Sequence, residues 1–283
     1  MTDITVVIPV KNEERSIKRC LAAATKIGPI VVVDSGSTDS TPEIATSAGA
    51  TLLNFDWNGQ FPKKRNWVLR NYKFKTDWVL FLDADEFVSD EFVTEVHNAI
   101  TNTDHVGFWL NFSNYFMGKK LVGGDPFRKL ALFRFGAGEY EKIEENNWSH
   151  LDMEVHEHPV LVGSVGEIKT PIEHNDFRGL KHYIAKHNEY SSWEAARYLR
   201  LEGGKEANLK IRNQEEWNNL TERQKKKYRN LAKWWFAPAY FMVSFLLKRG
   251  YRDGVIGFNF SALKAFYFYQ IRLKILESRQ DQA

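Results

Sequence analysis

Two short runs, "ITVVIPV" (4–10) and "IVVVD" (30–34), are apolar at nearly every position. A strand with one face in water alternates apolar and polar residues. A strand apolar throughout must be covered on both faces, as in a parallel sheet flanked by helices. The segment between the two runs, "NEERSIKRCLAAATK", is helical by pattern, since Ile17, Cys20, Leu21 and Ala24 fall at i, i+3, i+4 and i+7. Asn12 is its expected N-cap, with Glu13 and Glu14 in the first turn. A second helix is expected to open at Thr41 with Pro42 at its first position. "TLLNF" then reads as a strand, "KKRNWVLRNY" as a helix and "WVLFL" as another strand. This alternation implies a parallel α/β sheet with right-handed crossovers.

Beyond residue 105 the texture changes. "VGFWLNFSNYFM", "KLALFRF" and "HPVLVGSVG" read as strands of a mixed sheet with Gly-rich turns. From about 177 the pattern is helical and polar, and "NDFRGLKHYIAKHNEYSSWEAARYLRLEGG" stops on two glycines. The expected organisation is an α/β domain over 1–176, divided into halves 1–104 and 105–176, followed by a helical extension over 177–283.

A chain of 283 residues, 43% hydrophobic, can bury such a core. Its single cysteine, Cys20, permits no internal disulfide and fits a reducing, cytoplasmic setting. "MTDITVVIPV" lacks the basic segment and long apolar stretch of a secretory signal. "WWFAPAYFMVSFLL" (234–247) is too short to span a bilayer and contains Pro238. Net charge is only +3, but it is unevenly placed: residues 205–233 hold nine Lys/Arg against four Asp/Glu, and residues 234–276 six against one. A basic, aromatic-rich end suits a polyanionic partner.

The chemistry is expected at the strand ends, where open α/β sheets hold their ligands. "PVKNEE" follows the first strand, "DSGSTDST" the second, and "DWVLFLDADEF" ends on Asp83, Asp85 and Glu86. Clustered carboxylates at the end of a buried strand repel one another and need a cation. A nucleotide with its base at Asp34 and its diphosphate near Asp83 and Asp85 would face the same repulsion, and a bridging Mg²⁺ or Mn²⁺ would remove it. The blander reading of each motif is ordinary turn chemistry, with Asp34 capping "SGSTD" and the D-x-D carboxylates accepting turn hydrogen bonds. Lys63, Lys64 and Arg65 could form a solvated helix start, although cations there oppose the helix dipole.

In combination, "VVIPVKNEE", "VVVDSGSTDST", "KKRNWVL", "DWVLFLDADE", "MEVHE", "PIEH" and "GYRDGVIGF" resemble family 2 glycosyltransferases of the GT-A fold. The likeness is to the bacterial subgroup that includes lipopolysaccharide core β-glucosyltransferases. The resemblance implies a Rossmann-like nucleotide-diphospho-sugar transferase fold with a helical C-terminal extension. It implies that Pro9, Val10, Asn12, Glu13 and Asp34 line the nucleoside pocket, and that Arg65 and Lys64 reach the ribose or diphosphate. Asp83 and Ala84 would also border the donor. Asp83, Asp85 and His174 would hold the divalent metal. Glu157, the glutamate of "VHE", would be the base of an inverting transfer. Gly123 and Gly124 fit a close approach to the donor sugar, while Asp125-Pro126 departs from the subgroup's aromatic-Pro-Asp arrangement. The expected donor is a UDP-sugar carrying a hexose such as glucose. The expected acceptor is a glycolipid or polysaccharide of the bacterial envelope, in lipopolysaccharide core or capsule synthesis.

The basic cluster of "RQKKKYRNLAKWWFAPAYFMVSFLLKRG" beside apolar aromatics suits an anionic membrane surface, at the inner face of the cytoplasmic membrane. The alternative is a helix packed on the catalytic domain. Aspartate-based phosphatases also end a strand in D-x-D, but they place Thr or Val where this chain has Phe87. A non-catalytic nucleotide-sugar-binding protein is the remaining alternative, and retention of Asp83, Asp85, Glu157 and His174 speaks against it. No recognition helix or zinc module points to nucleic acid.

Overall fold

The computed structural model describes residues 3–124, 126–142, 158–175, 178–202 and 214–281. It divides into two compact units, residues 1–114 with 126–176 and residues 115–125 with 177–283. Residues 115–125 therefore group with the helical unit, whereas the sequence pattern assigns them to the α/β domain.

The first unit is built on a mixed sheet. Strands β1 (Ile4–Val10), β2 (Ile30–Asp34), β3 (Thr51–Asn54) and β4 (Trp78–Phe81) form its parallel half, in the order β3-β2-β1-β4. Every residue of β1, β2 and β4 is buried, as strands covered on both faces require. Their crossovers are α1 (Ile17–Ala24), α2 (Thr41–Ser47) and α3 (Lys64–Asn71). In α1 the buried residues are Ile17, Cys20, Leu21 and Ala24, the stripe read from the sequence.

The start of α1 differs from the expectation. It begins at Ile17, and Asn12 lies outside it with φ 56°. Asn12, Glu13 and Glu14 spend their backbone N–H groups on Ser37 Oγ, Thr41 Oγ1 and Asp39 Oδ2, at 2.8, 2.8 and 3.1 Å. Thr38 N and Ser40 N donate back to Asn12 Oδ1 and Glu14 Oε2. The residues that looked like a helix cap instead zip together the loops that leave β1 and β2.

Past β4, the chain enters β5 (Glu86–Phe87) and α4 (Asp90–Ile100), which Ser89 caps through Phe92 N at 3.2 Å. Then come β6 (Gly107–Phe116), β7 (Lys119–Lys120), β8 (Phe127–Arg134), β9 (Gly138–Tyr140), β10 (Pro159–Leu161) and β11 (Val165–His174). The sheet continues from β4 as β8-β6-β11-β5. β8 is antiparallel to both β4 and β6, and β11 runs parallel to β6. β9 and β10 form a separate antiparallel pair. Phe81 stacks on Phe133, and Trp78 meets Phe108, so aromatic contacts carry the core from the parallel into the antiparallel half.

The second unit contains α5 (Leu180–Leu201), α6 (Gln214–Asn219), α7 (Glu222–Asn230), α8 (Phe236–Met242) and α9 (Gly254–Asp281). Between α8 and α9 lie a π-helical turn, Val243–Leu247, and a 3₁₀ turn, Gly250–Asp253. Tyr198, Leu201, Trp217, Leu220, Tyr228, Leu231, Ile271 and Ile275 form its core. α7 is held at its start by a reciprocal capping box between Thr221 and Gln224. No helix among the described residues is long and apolar enough to cross a membrane.

Candidate active site

The polar residues singled out in the sequence gather at the carboxyl ends of β1, β2 and β4, which are adjacent in the sheet. Pro9 pairs with Val33 and Val10 with Asp34, so the ends of β1 and β2 are level. Asp34 is buried and accepts from Ser37 N at 2.9 Å and Ser37 Oγ at 2.5 Å. Its carboxylate thus holds the "SGSTD" turn, the blander reading of that residue.

The start of α3 is not a solvated charge run. Lys63, Lys64, Arg65 and Asn66 are all buried. Lys64 Nζ donates to Val10 O at 2.9 Å, tying α3 to the end of β1. Asn66 exchanges two hydrogen bonds with the backbone of Tyr140, at 2.8 and 3.0 Å, and fixes α3 against β9. Arg65 donates to Asp83 Oδ1 at 2.8 Å and lies 5.3 Å from the centre of the Tyr140 ring. Cations opposing the helix dipole are retained here because carboxylates and carbonyls meet them.

The carboxylates after β4 meet a lysine that the sequence pattern did not flag. Lys129 of β8 places Nζ 2.5 Å from Asp83 Oδ2 and also donates to Glu86 Oε1. Both oxygens of Asp83 therefore face protein cations, Arg65 on one and Lys129 on the other. Burial opposes ionisation of Asp83, but Lys129 and Arg65 outweigh it and hold the carboxyl well below the usual range. Glu86 is more deeply buried and also accepts from Asp83 N at 3.0 Å. Desolvation pushes its carboxyl up to about 8, with Lys129 opposing and Asp83 and Asp85 adding to the rise. Arg128 and Arg134 share β8 with Lys129, so the strand's sequence does not set this lysine apart.

Asp85 has a different neighbour. Its Oδ2 lies 3.8 Å from His174 Nε2. Register explains this: β5 pairs antiparallel with β11, setting His174 opposite Glu86, and Asn175 N donates to Asp85 O at 3.2 Å. The rings of Phe112 and Phe127 flank His174. Two ligands of one ion at ~2.1 Å can stand at most ~4.2 Å apart, so Asp85 and His174 are close enough for a metal to bridge. Among the described residues no three His, Cys, Asp or Glu converge as a closed metal site. An ion here would complete its shell from phosphate and water, the usual habit of Mg²⁺. Asp83 stands beside this pair rather than in it.

Ala84 is buried in the turn between the two aspartates. Glu157 and Asp125 lie outside the described residues. Gly123 has a reason for its missing side chain within the second unit. A Cβ there would sit 2.1 Å from Arg249 O, and Gly123 N donates to Asp253 Oδ2 at 2.8 Å. The close approach expected at the donor sugar is, for this glycine, an approach to the backbone of "RGYRDG".

A sheet with its polar strand ends grouped in this way is an α/β protein whose ligand site lies beyond the carboxyl ends of the parallel strands. Residues 5–150 match the profile described as glycosyl transferase family 2, and the chain belongs to that family. Its fold is an α/β sheet whose parallel half carries the strand-end site. Over 272 residues it is 26% identical to an uncharacterised glycosyltransferase of Rickettsia typhi, covering 94% of this chain and 84% of the relative. It is 28% identical to the lipopolysaccharide core biosynthesis glycosyltransferase LpsC of Rhizobium meliloti, covering 69% and 70%. A TPR repeat-containing protein of Synechococcus elongatus is 36% identical over 47% of this chain, and the match spans about a third (32%) of that longer protein. Among solved structures, glucosyl-3-phosphoglycerate synthase of Mycobacterium tuberculosis, in complex with Mn²⁺, UDP and glucosyl-3-phosphoglycerate, is 26% identical over 41% of this chain and 44% of its own, with a TM-score of 0.32.

Proposed function

We propose that the chain transfers a hexose, glucose being the leading candidate, from a UDP-sugar to a glycolipid or polysaccharide acceptor of the bacterial envelope, with inversion at the anomeric carbon. The observation that carries this reading is the convergence of Lys64 and Arg65 of α3 with the end of β1 and with Asp83, and of His174 of β11 with Asp85. The name of LpsC, a relative over two thirds of the chain, supports lipopolysaccharide core synthesis as the setting.

In this reading Asp85 and His174, with Asp83 beside them, would hold a Mg²⁺ or Mn²⁺ ion. The bound ion would supply Lewis-acid stabilisation of the charge on the departing diphosphate. Arg65 and Lys129, already oriented by Asp83, are placed to turn toward the same phosphates. Pro9 and Val10 form an apolar wall where the chain leaves β1, and Asn12, Glu13 and Asp34 shape the loops around the nucleoside. Glu157 takes the proton of the acceptor hydroxyl as its oxygen attacks.

The test is a thermal-shift series with UDP-glucose, other UDP-hexoses and nucleotides of other bases, each with and without Mn²⁺. A ligand that binds only the native state raises the melting temperature. A rise for UDP-sugars that depends on the metal supports the reading, and no rise with any nucleotide sugar would reject it.

A further inference from the structure

The corner between α8 and α9 shows the same chemistry on all its exposed surface. Of the residues in 234–276, Asp253 alone is acidic. Its carboxylate is buried and accepts from Val122 N at 3.1 Å and Gly123 N at 2.8 Å, so it contributes nothing to the surface. Lys248, Arg249 and Arg252 are exposed at this corner. Among them stand large apolar side chains in water: Met242, Leu246, Leu247, Tyr251, Val255 and Phe258, with Leu247 76% and Val255 74% exposed. All six fall within residues 242–258, and two of them rest on one aromatic cluster: Phe258 packs with Phe241 and Phe245 at 5.4–5.6 Å, and Tyr251 joins Phe245 at 6.5 Å.

The corner is also held rigid. Lys248 N donates to Val243 O at 2.8 Å, closing the π-helical turn. A Cβ on Gly257 would lie 2.0 Å from Gly250 O, so α9 and the 3₁₀ turn pack backbone against backbone. An exposed patch of this kind marks an interaction surface.

We infer that this corner is a membrane-docking tip, with its apolar side chains in the outer acyl region of an anionic bilayer and Lys248, Arg249 and Arg252 at the lipid phosphates. Cations of one sign around an apolar tip match a surface that is apolar within and anionic at its face. A protein partner would have to supply the same combination. The corner can dip into a bilayer without spanning it, since no helix among the described residues is both long and apolar enough to cross. The basic run Lys225–Lys227 is less suited to this role. Lys225 pairs with Glu222 at 3.1 Å and Lys227 with buried Glu194 at 2.6 Å, so much of that charge is engaged within the unit. The inference extends the lipid-borne acceptor of the proposed function, and it is tested apart from it.

The full chain is floated with vesicles of phosphatidylcholine alone and of phosphatidylcholine with phosphatidylglycerol. It should float with the anionic vesicles and be released by salt. Leu247→Glu/Val255→Glu should lower partitioning at least tenfold, and Lys248→Gln or Arg252→Gln about fivefold each. Both apolar positions are exposed, so the Mn²⁺-dependent UDP thermal shift should remain that of the parent chain, which keeps loss of docking distinct from loss of the donor site. Equal flotation with neutral vesicles would overturn the inference. So would flotation unaffected by Leu247→Glu/Val255→Glu, or a solution dimer that those substitutions disperse while the parent floats with neither vesicle.

Discussion

Lys129 Nζ and Asp83 Oδ2 stand 2.5 Å apart although the two residues are 46 positions apart in the chain. The ammonium comes from β8 and the carboxylate from the turn after β4, and the antiparallel pairing of those strands brings them together. Burial lowers the lysine's affinity for its proton, but Asp83 and Glu86 raise it further, so Lys129 stays charged. The carboxylate cluster at the end of a buried strand is thus stable before any ligand arrives.

Replacing Lys129 with Met leaves Asp83, Asp85 and Glu86 facing one another with less compensation. Breaking one side of a buried pair costs about 3–5 kcal/mol; Lys129 and Asp83 are each about a quarter exposed, so urea unfolding of Lys129→Met should shift by roughly 1–3 kcal/mol. Adding Glu86→Gln removes one of the stranded acids and should restore part of the loss. A cycle with no coupling between the two positions would mean that they do not act as a pair.

Asp85→Ala should leave the fold intact, because the residue lies beyond β4. If Asp85 and His174 hold the metal, calorimetry should show the Mn²⁺-dependent part of UDP affinity lost, at least tenfold by the usual worth of a metal ligand set. EDTA should do the same to the parent chain. UDP affinity equally sensitive to Mn²⁺ in variant and parent would place the ion elsewhere.

How far the site was legible depends on how local its causes are. The doubly covered strands showed plainly, because burial on both faces leaves an unbroken apolar run. The stripe of α1 showed for the same reason. Its start did not, because asparagine and glutamate that accept or align backbone N–H groups look alike whether they cap a helix or join two loops. Lys129 was invisible because its partners lie 43 and 46 residues away, and strand lysines are usually at the surface. The pairing of Asp85 with His174 follows from the β5–β11 register, which no local pattern encodes; only the family resemblance pointed to it.

Gly123 offers a test confined to the second unit. An added Cβ would lie 2.1 Å from Arg249 O and 2.6 Å from Arg249 C, both backbone atoms that cannot turn aside. Overpacking of this kind costs ~1–3 kcal/mol, sometimes more. Gly123→Ala should therefore lower the melting temperature while UDP affinity holds. Weakened UDP binding with unchanged stability would return this glycine to the donor sugar.

The remaining prediction concerns the base. As the acceptor oxygen bonds to the anomeric carbon its hydroxyl becomes acidic, and a carboxylate within hydrogen-bond reach can take the proton. The leaving diphosphate needs no proton if its charge is met by the metal, Arg65 and Lys129. One base is then enough, and Glu157 is the residue that the family resemblance assigns. Glu157→Gln keeps the shape of the side chain and removes its basicity. UDP-sugar affinity should survive, while turnover falls by ~10²–10⁴-fold, the usual worth of a positioned base. Unchanged turnover would move the base to another residue, with Asp125 next to be replaced. A product that retains the donor's anomeric configuration would reject single displacement, whichever carboxylate takes the proton.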